Sequence, residues 1–124
     1  MQIVLERLKS RPQATDGQLY INNVIVADTA EATPYMLSEG VYDIKIENIK
    51  KYHRKMPVVC SENTPVIRIG NGVYNSKNAD IIIGEHLLNG IIIHSAPFFN
   101  KLIDRLDKAA IRGEKMELKI KNCF

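Results

Sequence analysis

Residues 81–113 read IIIGEHLLNGIIIHSAPFFNKLIDRLDKAAIRG, and the repeat of their apolar positions changes partway along. Ile81-Ile82-Ile83 and Ile91-Ile92-Ile93 are short runs of β-branched residues separated by Asn89-Gly90. Such runs suit strands covered on both faces, so both are expected to be central. From Pro97 onward Phe99, Leu102, Ile103, Leu106 and Ala110 fall at the spacing of a helix face. Ser95 is a natural N-cap, Pro97 is tolerated in the first turn, and Arg112-Gly113 ends the helix. Lys108 follows Asp104 by one helical turn and should pair with it. This stretch therefore places one helix, at about 96–112, late in a chain that otherwise reads as strands.

Working outward, residues 41–49 alternate most cleanly, with Tyr42, Ile44 and Ile46 on one face and Asp43, Lys45 and Glu47 on the other. That is the pattern of an antiparallel strand with one buried side. Residues 17–21 and 24–28 form a hairpin across Asn22-Asn23, and residues 3–8, 57–60 and 66–69 read as further strands. Asp16-Gly17, Asn71-Gly72 and Asn89-Gly90 are expected at positions of positive φ. After the helix, Met116, Leu118 and Ile120 alternate with charged residues as a last strand. The expected fold is mostly antiparallel β, all-β to α+β: a compact β barrel or sandwich of about eight or nine short strands with one C-terminal helix before the final strand. Nothing divides residues 1–124, so a single domain is expected.

Composition excludes some functions. With 45% hydrophobic and 25% charged residues, the chain has a globular profile. A net charge of +3, no Trp, five Tyr and three Phe make a weak case for nucleic-acid binding. The basic run 50–55, KKYHRK, is the one segment that would grip phosphates, and a solvated turn explains it equally well. No apolar run suggests a signal peptide or a membrane span, so a cytoplasmic protein with no membrane partner is expected. Cys60 and Cys123 are expected as free thiols. His86 and His94 flank one turn, but no third ligand at metal-binding spacing accompanies them, so neither a metal nor another cofactor is expected.

The stretch 67–85, IRIGNGVYNSKNADIIIGE, offers the best candidate site. Arg68 precedes a polar loop holding Asn71, Tyr74, Asn75 and Ser76, and Asp80 follows it. If the flanking strands pair as a hairpin, Arg68 and Asp80 meet near the loop. A guanidinium and a carboxylate can hold a loop or bind an anion, but neither is a usable nucleophile near neutral pH. Direct contact between them would mark a structural pair; separation over a shared pocket would mark a ligand site. Arg68, Asn71, Tyr74, Asp80 and His94 are the candidate ligand-binding residues, and no catalytic residue is assigned.

The succession DGQLYINN, SEGVYDIKI, IRIGN, NADIIIGE and HSAPFFNKLIDRL resembles, across residues 4–120, a small bacterial and phage family of unknown function. In that family a His occupies the position of Arg68, the Gly-Asn is kept here as Gly70-Asn71, and a Gly-Cys stands where this chain has Ala79-Asp80. The family's His, loop and Gly-Cys are in turn similar to the site of L,D-transpeptidases, whose cysteine attacks peptidoglycan stem peptides. The resemblance implies a prophage-associated domain whose reactive pair has been replaced. The expected function is a non-catalytic binding or accessory protein for a small anion, a peptide or a protein, with self-association possible. The alternatives are a degenerate cell-wall enzyme using His86 or His94 with water, and a weak nucleic-acid binder through residues 50–55.

Overall fold

A computed structural model describes all 124 residues. It contains β1 (Gln2–Ser10), β2 (Ala14–Ile21), β3 (Val24–Ala32), β4 (Gly40–Ile49), β5 (Arg54–Val59), β6 (Ile67–Arg68), β7 (Ile81–Leu88), β8 (Ile91–Ile93), α1 (Ser95–Ile111) and β9 (Glu117–Asn122). The strands make one curled sheet in the order β5-β4-β9-β1-β2-β3-β7-β6, with β8 added to β7. The two ends of this half-barrel touch where Val58 bridges Val66 and the Val59 N–H donates to Pro65 O at 2.8 Å. Most neighbours are antiparallel; β1 with β9 and β6 with β7 are parallel. The barrel form of the expected fold is the one adopted, with α1 lying across its interior.

Local chemistry explains these elements. Asn22 and Asn23 take φ of 49° and 69°, the left-handed pair that a tight β2–β3 hairpin requires. On β4, Ile44 is buried and Tyr42 and Ile46 are half-buried, while Asp43, Lys45 and Glu47 face solvent. Helix α1 buries Phe99, Leu102, Ile103, Leu106 and Ala109. Gly113, at φ 74°, ends it, and the Glu114 N–H returns to Ala109 O at 3.0 Å. The Lys108–Asp104 pair forms at 3.0 Å. Ser95 does not cap the helix: His94 occupies the cap position, and the Ser95 hydroxyl donates instead to Ile83 O on β7.

Both faces of the sheet are covered around β7. Ile81 and Ile83 enter the main core under α1, while Ile82 joins Ala14, Ala30, Ala32, Val73 and Ile92 in a second cluster on the outer face. The isoleucine triplet at 81–83 is thus central, as its pattern requires. That at 91–93 is not: among the strands β8 pairs only with β7, its other side makes a single bridge from Ile91 to Gly72, and only Ile92 is fully buried. The 69–80 loop covers its other side, with Ile92 N–H donating to Asn71 O at 3.0 Å.

Two turn assignments are also corrected. Asp16 and Gly17 lie within β2, opposite Lys9 and Arg7 of β1. Gly17 is needed there for space: a Cβ would sit 2.5 Å from Glu6 O and 2.8 Å from Thr29 Oγ1. At 71–72 neither residue has positive φ; a Cβ on Gly72 would stand 3.0 Å from Gly90 O. Asn89-Gly90 does turn the chain, with Gly90 at φ 73°.

Candidate functional site

Strands β6 and β7 are parallel, not a hairpin, with Arg68 opposite Ile82. Arg68 and Asp80 nonetheless meet. Asp80 lies two residues before Ile82, hence on the same face, so the two side chains are diagonal neighbours across the ladder. The 69–80 connection makes the crossover that parallel pairing demands. The Arg68 Nε–H donates to Asp80 Oδ2 at 2.9 Å, and the Val66 N–H donates to Asp80 Oδ1 at 3.0 Å. Arg68 also donates to Ile69 O at 3.1 Å and to Ser76 Oγ at 3.2 Å. The pair is mostly sheltered, with 21% of the Arg68 and 9% of the Asp80 side chain exposed. It ties both ends of the loop to the edge of the sheet, and neither member is a nucleophile.

The other candidates point elsewhere. Tyr74 donates its hydroxyl to Asn89 O at 2.6 Å and packs against Gly90, whose Cβ-less face admits the ring. Asn71 lies between two open surface grooves, one shared with His94 and one with Tyr74. The His94 Nδ1 is 2.7 Å from Glu85 Oε1, with both side chains largely exposed. His86 does not face His94 across the hairpin; its Nε2 is 2.7 Å from Thr29 O. The next residue after His94, Ser95, directs its hydroxyl at Ile83 O and accepts from Gly70 N–H at 3.2 Å. No three His, Cys, Asp or Glu side chains are grouped as a metal site would need. Of the five candidates, Arg68 and Asp80 are brought together, and Asn71 is near Tyr74 on one side and His94 on the other, but no single cavity holds all five.

Asp80 opens onto a different cleft, of about 520 Å³, at the end of the half-barrel where β5 approaches β6. Tyr35, Lys51, Tyr52, Thr64 and Lys77 contribute to its walls. Asp80 already receives two donors, whereas Lys51 and Lys77 enter no ion pair or side-chain hydrogen bond. The Lys51 ammonium stands 5.4 Å from the centre of the Tyr52 ring, a cation–π contact. The local field is therefore positive, with two phenol rings beside it.

This cleft divides the basic run 50–55. Residues Lys50–Tyr52 form a single 3-10 turn, and His53 takes φ 54°. Arg54 then stacks on Phe99 at 4.9 Å and Lys55 pairs with Asp107 at 3.3 Å, both towards α1. The six residues do not present one continuous basic surface. Reading the sequence did not single out Lys77 or Tyr35, because only the approach of β5 to β6 brings them to Lys51 and Tyr52.

A second polar group was also missed. Arg7, from β1, crosses β2 above Gly17 and meets Glu31 of β3 through two hydrogen bonds, of 3.0 and 2.8 Å. Both side chains are about 1% exposed, and Asn122 of β9 accepts from Arg7 at 3.3 Å. The neighbouring Thr29 Oγ1 is buried without a partner. Parity offered a signal for this: Arg7 follows Ile3 and Leu5 on the inward face of its strand.

The single helix is not long and apolar enough to cross a membrane. No family model, curated protein or solved structure matches the chain.

Proposed function

We propose that the chain is a non-catalytic binding domain, and that the cleft beside Asp80 receives an anionic group of a small molecule or peptide. One observation carries this reading: Arg68 and Asp80 satisfy each other, while Lys51 and Lys77 stand unpaired over the same cleft. An anion entering there meets two ammonium groups without displacing an existing partner, and the Tyr35 and Tyr52 rings can cover an apolar portion of the ligand. The prophage-associated family and its replaced His and Cys support the same non-catalytic reading by resemblance.

The test is thermal unfolding in the presence of phosphate or citrate. The parent should be stabilised in a saturable way, and Lys51→Ala/Lys77→Ala should lose that effect. Arg68→Ala should lower the starting Tm yet retain most of the anion response, because its guanidinium is held by Asp80, Ile69 and Ser76. Equal stabilisation of the parent and the double-lysine variant would refute the assignment.

A further inference from the structure

A second cleft lies on another part of the molecule and has a different character. β3 pairs with β7 only from Asp28 to Ala30, and β7 turns away after Gly84 to pair with β8. The segment 24–27 of β3 therefore has no strand beside it on that side. The N-terminal half of α1 closes this gap only in part, leaving a cavity of about 260 Å³. Its floor is Ile21, Ala27 and Ile83, all buried, and Phe98 and Leu102 of α1 form a wall.

Lys101 and Arg105 stand at the rim. They are one helical turn apart and so share a face of α1. Neighbouring carboxylates do not neutralise them: Asp104 is paired with Lys108, and Asp107 with Lys55. Lys101 and Arg105 themselves enter no ion pair, in a helix whose other cation near this turn, Lys108, does. An apolar cavity with two free cations at its mouth complements a molecule that is apolar at one end and anionic at the other. The cavity is slightly below the range of about 300 Å³ and upward typical of drug-sized ligands, which favours a short chain over a large cofactor.

We infer that this cleft between β3 and α1 binds a medium-chain acyl carboxylate, with its chain over Ala27 and Ile83 and its carboxylate on Lys101 and Arg105. This assignment is independent of the anion cleft at Asp80. Each methylene that enters the cavity should strengthen binding about fourfold, and the gain should stop when the cavity is full. A neutral alcohol of equal length gains the apolar contact but lacks the ionic one.

Calorimetric titration with hexanoate, octanoate and decanoate, with octanol as the neutral match, tests the proposal below micelle-forming concentrations. Amide shifts recorded by NMR in the same titrations locate the site. Expected are saturable binding that strengthens with chain length to a plateau, octanol weaker than octanoate by roughly fivefold or more, and shifts centred on Ala27, Ile83 and Leu102. Lys101→Glu/Arg105→Glu changes only exposed positions and should weaken octanoate by a similar factor while leaving Tm unchanged. Ala27→Leu should block the chain; if that variant fails to fold, the charge reversal alone decides. Equal affinity for octanoate and octanol, an unaffected charge-reversal variant, or no saturable binding would each overturn the inference. So would shifts centred on Lys51 and Lys77, which would instead assign the carboxylate to the other cleft.

Discussion

Two of the molecule's guanidinium–carboxylate pairs, Arg7–Glu31 and Arg68–Asp80, look alike on paper and do different work. Arg7–Glu31 is enclosed in the half-barrel, spans β1 to β3, and is joined by two hydrogen bonds. Arg68–Asp80 sits at the sheet edge, partly open to solvent, and fastens a crossover loop. Burial decides the difference. A charge removed from water depends almost wholly on its partner, whereas one at the rim keeps the solvent as an alternative. The inner pair is therefore expected to govern global stability and the outer pair local order.

Breaking the inner pair should have the largest effect. Arg7→Ala or Glu31→Ala strands the remaining charge and should cost about 3–5 kcal/mol in urea unfolding. Arg7→Met/Glu31→Leu removes both charges and should recover most of that loss. If the double variant is no better than the single ones, the comparison fails. A pH series sharpens the same point. Full burial pushes the Glu31 carboxyl above its ordinary value, with Arg7's hydrogen bond and charge pulling in the opposite direction. With its folded pKa raised, Glu31 binds a proton more readily in the native state than in the unfolded one. Its contribution to stability should then fall as pH rises from the ordinary carboxylate value towards the raised one, and level off above it. Glu31→Gln should abolish that slope.

Gly17 lies beneath Arg7 as the side chain crosses β2. Gly17→Ala forces a methyl towards Glu6 O and Thr29 Oγ1 and should cost about 1–3 kcal/mol, measured by the same unfolding curves. At the outer pair, Arg68→Ala should cost about 1.5 kcal/mol. Its distinguishing sign is faster amide exchange across residues 69–80, with strands β1 to β3 unchanged. Uniform acceleration throughout the chain would make the two pairs equivalent. The smallest change belongs to the exposed helix pair, where Lys108→Ala should shift stability by no more than about 0.5 kcal/mol.

The candidate site was legible in part. Arg68 and Asp80 were expected to come close if their strands formed a hairpin, with direct pairing or a shared pocket both left open; they pair directly, although the strands are parallel and joined by a crossover. The contact survives because Asp80, just before β7, lies two residues from Ile82, the residue that the parallel register sets opposite Arg68. Asn71 and Tyr74 were grouped with them as part of the same loop and His94 as a histidine near it, but the loop folds back over β7 and β8 and leaves Asn71 between the grooves of Tyr74 and His94, apart from the cleft at Asp80. Gly17 was taken for a turn residue because Asp-Gly so often turns a chain. Nothing local reveals that Glu6 O and Thr29 Oγ1, on the strands to either side, leave no room for a side chain there.

The sequence by itself determined the alternating strands, the Asn22-Asn23 hairpin, the apolar stripe of α1 and its glycine ending. Each is set by interactions among residues close along the chain, so periodicity and turn chemistry suffice to show it. Only the tertiary structure decided that β1 lies beside β9, that Arg7 reaches Glu31, and that Lys51 and Lys77 line one cleft beside Asp80. These depend on how a twisted sheet curls to enclose one helix, which brings together side chains that no local pattern links.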